Sequence, residues 1–468
     1  MRASAFFMMK NKQPLLTFAL LSALIPSILG YDFIINSGYH DTQRIFEIVF
    51  ILLAGIFSIR KKQHPSPFTF CFFLFFITCG LFSTLNSKNT IHAIFSISLY
   101  YLLIIAIISL SSEYFKDQNK FESTLFKGLT LGYFLYSVSS LSYLINSYLS
   151  SELVTISNLI PGYDNYRFLN HCQTITIPLL TFLLIKERSI NRTRILNNIA
   201  FFSLTTSWSL LFLTGGRGTL AAFTASALLV FFLKRKAAIS FLISFTLIGF
   251  IGYLQSKILY TIIPNIINKP LDTISSIERS KTNFLSGREE LWLCAIEKFK
   301  ENPTLGISPM GFSNYCKEIN FGAHPHNIYI QTIVEWGFPG IIVLILIAIF
   351  LISIYKNIPK RLSVFIIFTT FSIAVDGLVS GNFVMPTSQI WIVIFFGMLY
   401  GSTQADSEEK NPSIRRIKHM TQAITFIMIL ILIYTSFATY QYSLKSQSDH
   451  TTTRSLLKPR AWSAGYLD

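Results

Sequence analysis

Apolar runs of about 17 to 25 residues recur from one end of the chain to the other, divided by short polar or basic stretches. A helix rises about 1.5 Å per residue, so about 20 apolar residues cross the roughly 30 Å of hydrocarbon in a bilayer. The pattern predicts about thirteen spans, at 15–35, 43–59, 67–85, 91–110, 124–147, 169–185, 195–213, 219–233, 238–256, 338–355, 362–378, 384–401 and 420–438. Barrel strands would read as short alternating segments, which this pattern does not contain. The predicted fold class is all-α, a polytopic transmembrane helical bundle of about 12–13 spans. About nine spans fall in 1–256 and the rest in 338–438; 257–337 form a large loop with amphipathic helices, and 439–468 a tail.

Composition agrees with this division. Of 468 residues, 51% are hydrophobic and 13% charged, against about 25% charged in soluble domains, which excludes a soluble enzyme. Lys10 and Lys12 ahead of the first apolar run resemble the start of a signal peptide, yet the many spans that follow favour an uncleaved anchor. With a cytoplasmic N-terminus, the basic clusters (Arg60 to Lys62, Lys234 to Lys236, Arg415 to Lys418 and others) all fall inside. The alternate short loops keep only Lys88, Arg167, Arg217 and little else. The net charge of +16 is thereby read as a topology signal, and no nucleic-acid partner is expected. The loop 257–337 and the tail then lie outside, in an oxidising compartment. Cys294 and Cys316 in that loop become a candidate disulfide, while Cys71 and Cys79 sit in a predicted span as packing residues.

Three polar segments lie near the outer edge. "LFLTGGRGTLAAF" (211–223) joins two spans through a glycine turn around Arg217. Its backbone donors and guanidinium fork suit phosphate oxygens; the competing reading is an arginine snorkelling to lipid headgroups. In "SGREELWLCAIEKF", Ser286 is placed to cap an amphipathic helix whose first turn carries Arg288. A cation there faces the positive end of the helix dipole, so either a bound anion or a nearby carboxylate must compensate it. In "HPHNIYIQTIVEWGFPG", Pro325 holds the chain extended between His324 and His326, Asn327 is placed to cap the next helix, and Asn327, Gln331 and Glu335 repeat every four residues. An H-x-H pair suits zinc only with further ligands, and no CxxC or HExxH supplies them, so no metal or other cofactor is expected. A structural histidine pair remains the other reading of this stretch.

Arginine in a glycine turn between spans ("GGRG"), an external R-x-x-x-W segment ("REELW") and H-x-H-N before a further span resemble, in this order and sidedness, the O-antigen ligase superfamily over about Tyr166 to Gly401. The resemblance implies an enzyme of the bacterial inner membrane with its active site facing the periplasm. It implies an undecaprenyl-diphosphate-linked glycan as donor and lipid A-core or an exported protein as acceptor, among membrane lipids. By motif, Arg217 and Arg288 hold the leaving diphosphate and His326 receives the acceptor proton, in a metal-independent inverting transfer. Arg167, Asn170, His324, Asn327 and Gln331 are the accompanying substrate-binding candidates. The expected member is a lipid A-core ligase. The alternatives are a protein O-oligosaccharyltransferase acting on serine or threonine, which "GLVSGNFVMPTSQ" (377–389) also resembles, a polymerase, or a flippase for the same lipid-linked sugar. A flippase would place its ionisable groups near the bilayer midplane, whereas these collect at one face.

Overall fold

The computed structural model describes residues 13–29, 38–61, 65–150, 156, 159–187, 194–266, 288–316, 319, 323–403, 412–449 and 461–462. Lys10, Lys12, Lys62, Ser286 and most of the tail beyond Asp449 lie outside the described residues. In chain order the longer helices are α1 (Pro14–Leu29), α2 (Tyr39–Arg60), α3 (Pro67–Ser83), α4 (Thr90–Lys116), α5 (Gln118–Leu149), α6 (Tyr166–Glu187) and α7 (Arg194–Leu213). They continue as α8 (Arg217–Lys257), α9 (Arg288–Glu301), α10 (Ile328–Trp336), α11 (Phe338–Lys356), α12 (Lys360–Asp376), α13 (Pro386–Gly401) and α14 (Pro412–Asp449). No strand occurs among the described residues, and nine of the helical stretches are long and apolar enough to cross a membrane. The predicted spans at 15–35, 362–378 and 384–401 are helices of 16, 17 and 16 residues. The chain divides into two compact units.

The first unit comprises Met1–Gln43, Asp117–Phe284 and Pro359–Trp391. Its α8 is continuous in sequence but not in direction. Lys234 leaves the helical region (φ −140°, ψ 36°), and Phe223 and Phe245 meet with ring centroids 5.1 Å apart. Twenty-two residues of straight helix would hold those rings about 33 Å apart. The helix is therefore a hairpin turning at the basic Lys234–Arg235–Lys236 run, which yields the two predicted spans 219–233 and 238–256. Phe241, Phe245 and Phe223 pack edge-on or stacked against Phe368 of α12, and Trp208 of α7 closes the same cluster. At the centre lies α6, whose most apolar window is 94% buried. Its polar side chains bind neighbouring helices: Gln173 donates to the Ser207 carbonyl (2.8 Å), and the hydroxyls of Thr174 and Thr219 meet at 2.9 Å. Such bonds between helices are the usual use of polar groups where water is absent.

The second unit comprises Arg44–Lys116, Leu285–Ile358 and Ile392–Asp468. Here α4 is central and packs on α14, with the Tyr101 and Thr425 hydroxyls 3.0 Å apart. By contrast α11 is only 17% buried over its most apolar window, exposing Phe338, Ile342, Ile345, Ile349 and Ile352 at alternating spacings of four and three as one face suited to lipid. Ahead of α11, residues 288–336 form a small body with its own core of Leu291, Ala295, Ile307, Phe312 and Val334. Cys294 and Cys316 are joined by a disulfide, with Cα atoms 6.2 Å apart. From the tail, Trp462 donates to the Thr439 hydroxyl (2.9 Å), and the buried Arg44 donates to the Ala461 carbonyl (3.0 Å).

Candidate functional site

In the first unit the glycine turn places half-buried Arg217 at the head of α8, with its amide donating to the Gly215 carbonyl at 2.7 Å. The turn fits closely against its surroundings. A Cβ on Gly218 would come within 3.1 Å of both Asp376 Oδ1 and Val379 Cγ2, so a larger residue would displace the carboxylate beneath Arg217's turn. Asp376 is itself held: its Oδ2 accepts from the Ser380 hydroxyl at 2.7 Å and lies 3.9 Å from His171 Nδ1. Asn170 braces the other side, accepting the Thr214 hydroxyl on its Oδ1 (2.9 Å) and the Thr174 and Thr219 hydroxyls on its main-chain oxygen (3.1 and 3.3 Å). Gln173 points its side-chain nitrogen between helices at Ser207, as described above. Arg167, one residue into α6, is exposed, and its amide donates to Asn165 Oδ1 (2.9 Å). This polar end of α6 thus carries the exposed Arg167, while Asn170 ties α6 to the turn that carries Arg217.

In the second unit the "REELW" and "HPHN" segments, 33 residues apart at their point of contact, are physically joined. The indole N–H of Trp292 donates to the Pro325 carbonyl at 2.9 Å. Arg288 precedes Trp292 by four residues on α9, hence by about one turn on the same face. His324 is buried, at 3% exposure, and its Nδ1 accepts the amide of His326 at 3.2 Å. The two imidazoles have centroids 4.1 Å apart. His326 itself is half-exposed and adopts φ +54°, a left-handed backbone uncommon outside glycine. Asn327 then caps α10 as the sequence predicts, its side chain accepting from the amides of Tyr329 (3.0 Å) and Ile330 (3.1 Å). Desolvation raises the Tyr329 phenol above its usual value, so it stays a neutral donor at physiological pH.

The stripe of Asn327, Gln331 and Glu335 faces inward: all three are buried. Glu335 is structural in this arrangement, its Oε1 accepting the Phe312 amide at 3.3 Å, because the loop before α10 leaves that donor without a main-chain acceptor. The loop is strained, with positive φ at Ser308 (80°) and Met310 (67°). It is fastened by residues that sequence patterning passes over. Ser83 donates to the Leu305 and Glu335 carbonyls (2.6 and 2.9 Å), Asn86 to the Gly306 carbonyl (2.9 Å), and Lys88 lies 4.2 Å over the Tyr315 ring. Asn86 and Lys88 form a polar cluster straight after the apolar run 67–85, whereas Ser83 lies within that run. Among the described residues, no three His, Cys, Asp or Glu side chains gather in a way that could hold a metal ion.

Residues 202–345 match the family described as O-antigen ligase, consistent with the superfamily that the three motifs resemble. The matched stretch contains Arg217, Arg288, His324, His326, Asn327 and Gln331; Arg167 and Asn170 precede it. No curated protein matches the chain.

Proposed function

We propose that this multi-pass membrane chain, with its O-antigen ligase segment, transfers a glycan en bloc from undecaprenyl diphosphate to lipid A-core at the periplasmic face of the bacterial inner membrane. The observation that carries the reading is the Trp292 to Pro325 hydrogen bond. It joins two motifs that the resemblance relates only by their order, and it turns a bland histidine stretch into a constructed one. The disulfide between Cys294 and Cys316 supports the outside placement, since such bonds persist in oxidising compartments.

The chemistry follows from the leaving group. The acceptor hydroxyl oxygen attacks the anomeric carbon as the bond from that carbon to the diphosphate oxygen breaks, inverting configuration. The electron pair leaves with undecaprenyl diphosphate, and the guanidinium groups of Arg217 and Arg288 stabilise the charge that develops there. His326 takes the hydroxyl proton, an imidazole being suited to that exchange near neutral pH. Half-buried arginines at the diphosphate perform the role that a divalent ion plays elsewhere, so the reaction needs no metal.

The test is reconstitution. Purified protein in lipid, given a polyprenyl-diphosphate-linked glycan, is offered lipid A-core in one arm and a serine- and threonine-containing exported protein in the other, with products resolved on gels. Glycan on lipid A-core is expected. Glycan on the protein alone would replace this reading with an O-oligosaccharyltransferase, and elongation of the donor in both arms would replace it with a polymerase.

A further inference from the structure

The left-handed backbone at His326 needs a cause. A non-glycine residue in this region costs free energy and persists only where its surroundings hold it. Two hydrogen bonds do so here, one at each end of the peptide unit that precedes the residue. The His326 amide donates to His324 Nδ1 at 3.2 Å, and the carbonyl of Pro325, the other end of the same peptide unit, accepts from Trp292 Nε1 at 2.9 Å. The peptide plane between Pro325 and His326 is therefore pinned at both its N–H and its C=O. Since rotating that plane is what moves φ of His326, the two bonds together fix the direction in which its imidazole leaves the chain. Immediately downstream, Asn327 is locked by its cap to Tyr329 and Ile330, so the turn cannot relax in that direction either. His324 is 3% exposed, and because Nδ1 accepts, its neutral ring carries the proton on Nε2.

From this geometry we infer that Trp292 and His324 are positioning residues, a two-point clamp on the Pro325–His326 peptide that aims the His326 imidazole. The inference rests on the reading of His326 as proton acceptor, and it gives distinct roles to two motif residues: the tryptophan of "REELW" acts through a carbonyl, and the first histidine of "HPHN" through its Nδ1. It also reassigns His324, since a ring occupied in bonding the main chain orients its neighbour and does not grip substrate.

The clamp makes a specific demand on substitutions. Asparagine places its Oδ1 where histidine has Nδ1, so His324→Asn keeps the acceptor and discards the rest of the ring, whereas His324→Leu keeps bulk and loses the acceptor. Trp292→Phe keeps an aromatic ring and loses the donor. Each loss of one such bond is expected to lower kcat about five- to tenfold with the donor KM little changed, and His324→Asn to stay within about twofold of the parent. Hydrogen exchange of the peptide covering residues 323–330, measured on full-length protein in lipid nanodiscs, gives a readout independent of catalysis. Exchange at the His326 amide should quicken in Trp292→Phe and His324→Leu and return to the parent rate in His324→Asn. If His324→Asn is as impaired as His324→Leu, His324 acts through its Nε2 and the clamp is wrong. Unchanged exchange and unchanged kcat in Trp292→Phe would also overturn it. Near-normal transfer by His326→Ala would instead sink the proton-acceptor reading, a result separable from the clamp because the exchange measurement does not depend on activity.

Discussion

The proposed transfer asks different things of an imidazole and a guanidinium, and single substitutions should separate them. His326→Ala is expected to reduce transfer about a hundredfold to ten-thousandfold, the usual cost of a lost proton acceptor, while equilibrium binding of the lipid-linked donor stays close to the parent. Arg217→Ala and Arg288→Ala should weaken both binding and rate. Arg217→Lys should recover only part of the loss, because a compact ammonium cannot reproduce two parallel bonds to phosphate oxygens. Donor binding unchanged in both arginine variants would remove them from the diphosphate. At this scale the sequence was legible where a residue's chemistry is declared by its neighbours in the chain: Asn327 as a cap and Arg217 within glycines. It did not reveal the partners of Glu335, Asn170 and Gln173, since Phe312, Thr214 and Ser207 are distant from them in sequence. A polar side chain looks the same in a string of letters whether it will meet a ligand or a neighbouring helix.

Helices with uninterrupted apolar runs announce themselves, and among the described residues the predicted spans fall on helices. What the pattern could not supply was the manner in which elements join. The hairpin within α8 was readable because three consecutive cations at 234–236 interrupt the run, whereas the junction of α10 and α11 depends on one glycine. Gly337 takes φ +65°, and a Cβ there would lie 2.6 Å from the Pro303 carbonyl and 2.7 Å from the Gly306 nitrogen. Both obstacles are main chain and cannot swing aside. Gly337→Ala is therefore expected to destabilise the protein by about 2–4 kcal/mol, visible as a lower unfolding temperature in detergent. Asn327→Ala, which removes only a cap, should cost about 1 kcal/mol. If the two variants unfold alike, the tight junction is not a determinant of stability.

For the whole molecule the decisive question is which side each loop occupies, and the answer predicted by the lysine and arginine distribution can be measured directly. With Cys71, Cys79 and Cys172 replaced and the disulfide retained, a cysteine at exposed Lys300 should react with a membrane-impermeant maleimide in intact spheroplasts. Reaction only after lysis would invert the topology and move the proposed chemistry to the wrong compartment. Activity should also survive exhaustive chelation; abolition by EDTA and recovery with a divalent ion would show that the arginines do not suffice. The covalent link between Cys294 and Cys316 closes a loop 22 residues apart in sequence and stabilises the small body ahead of α11 by about 3 kcal/mol. That bond gives the protein a birth order. The segment bearing Trp292 and His326 leaves the ribosome reduced, so under the proposed topology the fold that presents them is completed only after export and oxidation. In cells unable to oxidise exported thiols, the chain should accumulate in the membrane at its full length and remain inert. Under the proposed topology, a newly made copy is thus held idle until this segment has reached an oxidising compartment.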